Sequence, residues 1–456
     1  MTVLDVDYLV VGAGAMGMAF TDALVDHADV RVALVDRRHG VGGHWLAAYP
    51  FVRLHQASTF YGVASTVLGG SVQVTGPEAG LHERAGQPAI VAYYDKVLSE
   101  RMVGSGRVSF HPGCEYDGER TVRSRISGQR FDVPERCRVV DARYLAPDIV
   151  AEMPPRFEVE PGARVVPVND LVRMEEAPSQ YVVVGSGKTA TDAIVWLLGR
   201  GVDPDAVCWV RPRDPWMLNR ALIQPSPEIF LAMVATMMEA AAAAESLDSL
   251  FVALEEAGIM LRVDRTVTPT MAKTPTLGIW ELELLRSITN VVRLGHLVAV
   301  RPGRLELTDG AVGTAADAVV VNCAADGLKN PPLLPIWQSS VITLQPVRAG
   351  FPCFGAALIG YVEGTRRGAP DEAKNAIAAP SPYPNSLVQW AAMNVHGLRN
   401  AAAFNAEPDV REWANRVALN PSRVPPDHAG SPELDVAQAR LQAAAGPGVA
   451  RLAELR

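Results

Sequence analysis

Residues Asp7 to Asp36 read DYLVVGAGAMGMAFTDALVDHADVRVALVD, and the order of residue types in this stretch decides the fold. The apolar run Tyr8-Leu9-Val10-Val11 predicts a buried strand. Gly12-Ala13-Gly14-Ala15-Met16-Gly17 is a G-x-G-x-x-G turn. A helical segment follows to about Asp26, and a second strand, Val30 to Val35, ends in Asp36. This is the strand, glycine turn, helix, strand, acid order of a dinucleotide-binding βαβ unit. Gly12 allows the tight turn, Gly14 lets backbone approach a pyrophosphate, and Gly17 lets helix and strand pack closely. The helix start at Ala15 and Met16 offers free N–H groups and a positive dipole end to the phosphates. Asp36 is placed to accept hydrogen bonds from an adenosine ribose.

A second unit of the same kind begins at Gln180, QYVVVGSGKTATDAIVW. The strand Tyr181 to Val184 runs into Gly185-Ser186-Gly187-Lys188-Thr189-Ala190, a G-x-G-x-x-A turn whose alanine is an accepted small residue. A P-loop would need a glycine where Val182 stands inside the strand, so a triphosphate is not the expected ligand. The following strand, Ala206 to Val210, ends in Arg211, with Arg213 just beyond. A cation where an acid would meet the ribose suits a 2′-phosphate, so NADPH is expected rather than NADH.

The chain has 456 residues, enough for two or three domains. Its net charge of −8 implies no basic face and argues against nucleic acid as a partner. The five cysteines, Cys114, Cys137, Cys208, Cys323 and Cys353, form no C-x-x-C pair and fit a reducing cytoplasm. No metal-ligand pattern is evident. There is no basic leader, and no apolar run of about twenty residues that would cross a membrane. A cytoplasmic protein without a membrane partner is expected.

After Asp36 and Arg37 comes Gly42-Gly43-His44-Trp45, then Tyr49-Pro50 and Arg53. Together with the two glycine turns, this G-G-x-W segment resembles the two-dinucleotide-domain flavoproteins. The likeness is to flavin-dependent monooxygenases of the Baeyer–Villiger and N-hydroxylating kinds, and it covers most of residues 5–365. The resemblance implies an α/β fold in which an FAD-binding Rossmann-like domain is interrupted by an NAD(P)H-binding one, with a small β-meander and a helical insertion. It implies FAD held by Gly12, Gly14, Ala15, Met16, Gly17, Asp36, Arg37, Gly43, His44 and Trp45, with Gln345 near the flavin pyrimidine. It implies NADPH held by Gly185, Ser186, Gly187, Lys188, Thr189 and Arg211. Arg53, His55 and Asn219 are the expected catalytic candidates. The implied reaction inserts one oxygen atom of O2 into a small organic substrate through a C4a-(hydro)peroxyflavin.

The sequence departs from that family in two places. His55 stands about where Baeyer–Villiger enzymes carry an aspartate. In the fingerprint F-x-G-x-x-x-H, Phe157 is present, but Val159 replaces the glycine and Ala163 the histidine. An NAD(P)H-dependent reductase or dehydrogenase without oxygenation therefore stays open, as does a non-enzymatic flavin-binding redox-responsive protein. The second glycine turn speaks against the latter, since a binder needs no reductant site. The expected domains are 1–170 and 311–400 for FAD and 171–310 for NAD(P)H, with a helical insertion at about 228–290. A peripheral tail is expected over 401–456. A homo-oligomer is compatible with the sequence.

Overall fold

The computed structural model describes residues 2–325 and 328–456. Asp326 and Gly327, which close the apolar stretch begun at Asp317, lie outside the described residues. Two parallel sheets dominate. The first has five strands in the order Val341–Thr343, Arg138–Asp141, Tyr8–Val11, Val32–Asp36, Val108–Pro112. All four residues of Tyr8–Val11 are buried, as a parallel strand covered on both faces requires. One face receives the helices Ala15–His27 and Pro352–Thr365. These cross almost backbone to backbone: a Cβ on Gly360 would lie 2.4 Å from the Phe20 carbonyl oxygen. The other face, with Leu9, Val11, Ala33 and Val35, packs on a four-stranded meander that includes Cys114–Tyr116, Thr121–Ser124 and Arg130–Asp132.

The second sheet also has five strands, ordered Arg164–Pro167, Val319–Asn322, Tyr181–Val184, Val207–Val210, Val291–Val292. The helices Lys188–Gly199 and Ile279–Arg286 cover one face. An antiparallel sheet built on Leu297–Arg301 and Arg304–Leu307 covers the other. Glu158–Val159, within a proline-rich stretch that reads as a linker, joins that antiparallel sheet by pairing with Leu297–Arg301. The chain thus enters the first sheet, leaves it to build the second, and returns through Val341–Thr343.

Two parts differ from expectation. The stretch after Trp209 reads as a loop, but Pro215–Asn219 is a strand between Met260–Leu261 and Met271–Leu277. The segment 401–456 is not peripheral. The helix Pro432–Leu455 lies on Pro227–Ala243, and a Cβ on its Gly448 would come within 2.6 Å of the Met238 carbonyl oxygen. Leu434 and Leu452 belong to the same continuous core as Tyr8, Phe230 and Trp390. The first two helices of the insertion, Pro227–Ala243 and Leu247–Glu256, and the C-terminal helices therefore complete the core of the first sheet, while its last helix, Ile279–Arg286, covers the second.

Candidate functional site

The first glycine turn follows its strand directly. Gly12 adopts φ +109°, and a Cβ on Gly17 would lie 1.9 Å from the Gly12 carbonyl oxygen, so this turn and helix start admit no larger residue. Gly14 caps the helix Ala15–His27. Gly43 lies against it so closely that a Cβ there would sit 2.8 Å from the Gly14 Cα. The two glycine segments thus form one backbone-lined cradle at a helix N-terminus, the arrangement a pyrophosphate needs. Asp36 braces this cradle, accepting from Ala13 N at 2.7 Å and Arg38 N at 2.8 Å. A carboxylate has about four lone-pair sites, so capacity for ribose hydroxyls is left. Arg37 is exposed at the same corner.

Trp45 turns inward. It is 5% exposed, and its Nε1 donates to Tyr61 Oη at 2.6 Å. Instead of facing a nucleotide, it closes the core under the cradle. His44 lies beside it, ring centroids 5.1 Å apart, and burial lowers its pKa to about 4. Gln345 is also held by the protein: its amide exchanges hydrogen bonds with the backbone of Leu334 at 3.1 and 2.7 Å.

At the second turn Gly185 has φ +136°, and its absent Cβ leaves room for the Cys323 carbonyl oxygen. Around Gly187 nothing lies within 4 Å of a notional Cβ, so the backbone there is open to a ligand. Ser186 and Thr189 are half-buried on either side. Lys188 pairs with Asp192, which also accepts from Tyr49 Oη at 2.7 Å. Arg211 does not face this turn. It is 1% exposed, stacks 4.3 Å over Trp209, and its Nε lies 3.0 Å from Asp214 Oδ1. Burial draws its pKa down to about 10 against the pull of Asp214. The exposed cation at this strand end is Arg213.

The segment 49–56 joins the two turns. Tyr49 binds Asp192, and Phe51 stacks on Trp196 with centroids 4.8 Å apart, both on the second helix. His55 follows. Its carbonyl oxygen accepts from Arg220 Nε at 3.0 Å and from Thr276 Oγ1. Its Nδ1 is buried with no protein partner. Burial, then Lys188, Arg220 and Arg84, lower its pKa to about 3, so the ring is neutral at physiological pH. Arg53 is exposed, its backbone bridging Gly86, and so stands off this centre. Asn219 is structural: it accepts from Ala221 N at 3.1 Å and donates to the Gly258 carbonyl at 2.9 Å.

Sequence reasoning missed the support beneath His55. Arg220 pairs with Glu78 and, at 2.7 Å, with Glu281, while Arg84 Nε lies 3.0 Å from Glu78. Trp280 Nε1 donates to Glu78 at 3.1 Å, and Gly278 N to Glu281 at 2.8 Å. Burial opposes ionisation of Glu281, but Lys188, Arg220 and Arg84 outweigh it and hold the carboxyl at about 2. Two arginines and two glutamates, all buried, make a neutral cluster. Its members come from three separate parts of the chain, and no spacing advertises them.

An uncharacterized protein of Mycobacterium tuberculosis (strain ATCC 25618 / H37Rv) is 39% identical over 421 residues, spanning 91% of this chain and 78% of that protein. An uncharacterized protein of Mycobacterium bovis (strain ATCC BAA-935 / AF2122/97) matches to the same extent. The chain belongs to their family. Residues 10–50 match the description NAD(P)-binding Rossmann-like domain, which coincides with the first glycine turn and its cradle. Among solved structures, the family's fold is similar to that of oxidized steroid monooxygenase bound to NADP. That match has a TM-score of 0.50 and 14% identity, over 97% of this chain and 98% of that one. The likeness is one of fold, with two Rossmann-like parallel-sheet units in one chain.

Proposed function

We propose that the protein is an FAD- and NADPH-dependent oxidoreductase that transfers one oxygen atom of O2 to a small organic substrate. The observation that carries this is the segment 49–56, which follows the first cradle in the chain, is tied to the second glycine helix through Tyr49 and Phe51, and holds a neutral His55 within reach of the Lys188 charge at the second turn. Both turns fit a dinucleotide, by the Gly14–Gly43 cradle and by the open backbone at Gly187. FAD and NADPH, when bound, supply hydride transfer and the activation of O2.

The chain's own residues bind, orient and exclude water. Gly14 and the first helix turn present N–H groups to one pyrophosphate, Gly187 and the second helix to the other. Arg213, in place of Arg211, is the cation available to a 2′-phosphate. With a pKa near 3, His55 carries no proton charge at neutral pH, so its free Nδ1 serves as a hydrogen-bonding atom. The cluster of Arg84, Arg220, Glu78 and Glu281 positions it through its carbonyl. Five cysteines without a disulfide support a cytoplasmic location, and no helix among the described residues is long and apolar enough to cross a membrane.

The test is anaerobic mixing of the FAD-loaded protein with NADPH, then product analysis in air. Bleaching of the flavin followed by an oxygenated product is the expected result. Bleaching without any oxygenated product would establish the reductase reading, which the departures at His55, Val159 and Ala163 favour. Failure to bind FAD at all would remove both.

A further inference from the structure

Next to the His55 segment lies a cavity of about 80 Å³, with Gln56 and Thr276 in its lining. Its walls are apolar, formed chiefly by Phe230, Met233, Met237, Phe351 and Trp390. A single charged residue lines it, Arg348. Four arginines of the described chain are buried: Arg84, Arg211, Arg220 and Arg348. The first three each meet an aspartate or glutamate. Arg348 does not. It is 7% exposed, its Nη2 donates to Ser422 Oγ at 2.5 Å, and no described carboxylate lies within 4 Å. Burial alone draws its pKa down, to about 10, with no acid opposing.

An uncompensated buried cation is costly, and a guanidinium does not escape the cost by losing its proton. Such a group persists where a ligand brings the counter-charge. The planar fork matches a carboxylate in bidentate fashion. A phosphate dianion would call for more than one cation, and the cavity offers one. The methionines are flexible and polarizable, suited to apolar bodies of varied shape.

We propose that Arg348 receives the carboxylate of an amphipathic acid whose apolar body lies against Met233, Met237 and Trp390. As a statement about substrate class, this rests on the oxygen-transfer reading of the neighbouring turns. As a statement about binding, it stands on the cavity alone.

The test is equilibrium binding, by calorimetry and thermal shift, of the FAD-loaded protein with linear and aryl carboxylic acids and their primary amides at neutral pH. At least one acid is expected to bind and raise Tm, with its amide weaker by about tenfold or more. Arg348→Met is expected to abolish that discrimination, and Arg348→Lys to keep part of it. Without ligand, Arg348→Met should melt no lower than the wild type, since it removes an uncompensated buried charge. Wild-type protein that prefers no acid over its amide overturns the proposal, whether or not the variants fold. So does an Arg348→Met variant that binds the acid as tightly as the wild type. NADPH bleaching of the flavin is measured in parallel. Acid preference without bleaching leaves the site and removes the oxygen-transfer reading; bleaching without acid preference does the reverse.

Discussion

His55 is a buried base held neutral by its surroundings, and that has a thermodynamic signature. Its folded pKa of about 3 lies below the ordinary value of about 6.5. Between those two values the unfolded chain binds the extra proton, so stability rises with pH there and is lost as pH falls from about 6.5 toward 3. His44, at about 4, adds to the same trend. The melting temperature of the wild type should therefore drop more steeply over that window than that of His55→Gln. Equal slopes would show that the ring titrates freely. Residue identity was readable in the sequence where the backbone dictates it, as at Gly12 and Gly17, and misleading where a side chain had two uses. Trp45, Arg211, Asn219 and Gln345 all stand at positions a nucleotide or substrate could reach, yet each is captured by a protein partner: Tyr61, Asp214, Gly258 and Leu334. Only for Arg211 was the competitor in view, as an aspartate three residues on and a tryptophan two before.

Elements were legible in proportion to their periodicity. Both glycine turns, with their strands and helices, sit where the residue pattern puts them, because local sterics and burial agree there. The strand Pro215–Asn219 was hidden because Pro215 and the proline and charges just before it, Arg211 to Asp214, read as a loop, and only pairing with Met271–Leu277, far along the chain, makes it a strand. Close helix crossings were equally invisible, since an isolated helical glycine carries no signal of its partner. They make sharp predictions. Gly448→Leu has no room over Met238 and should destabilise the protein by about 2–4 kcal/mol, read as a lower urea midpoint at unchanged m-value. Gly17→Ala should lose FAD at purification while its neighbour Ala15→Ser, on the half-buried helix start, keeps it. A Gly17→Ala protein that retains full flavin content would show that the turn does not carry the cofactor.

Across the whole molecule, the buried Arg84–Glu78–Arg220–Glu281 cluster joins the segment before the first sheet's outer strand, Val108–Pro112, to the stretch between the second sheet's strands Val207–Val210 and Val291–Val292. Removing one member strands an opposite charge. Arg220→Met should cost about 3–5 kcal/mol, more than Arg262→Met on the less deeply buried pair with Glu255. If the two melt alike, the cluster is not the junction its geometry indicates. Such long-range bookkeeping of charge, along with the cover that residues 432–455 give to 227–243, is what no reading of one chain segment at a time can supply.

That cover also sets an order of events during synthesis. The strands of the second sheet lie between Arg164 and Asn322, so that body can form as soon as its last strand clears the ribosome. The first sheet waits for Val341–Thr343, and its core is not closed until Leu452 has been made. The part of the chain translated first is therefore finished last. Until residues 432–455 are made, its apolar strands and the face of 227–243 lack the partners that bury them in the finished fold.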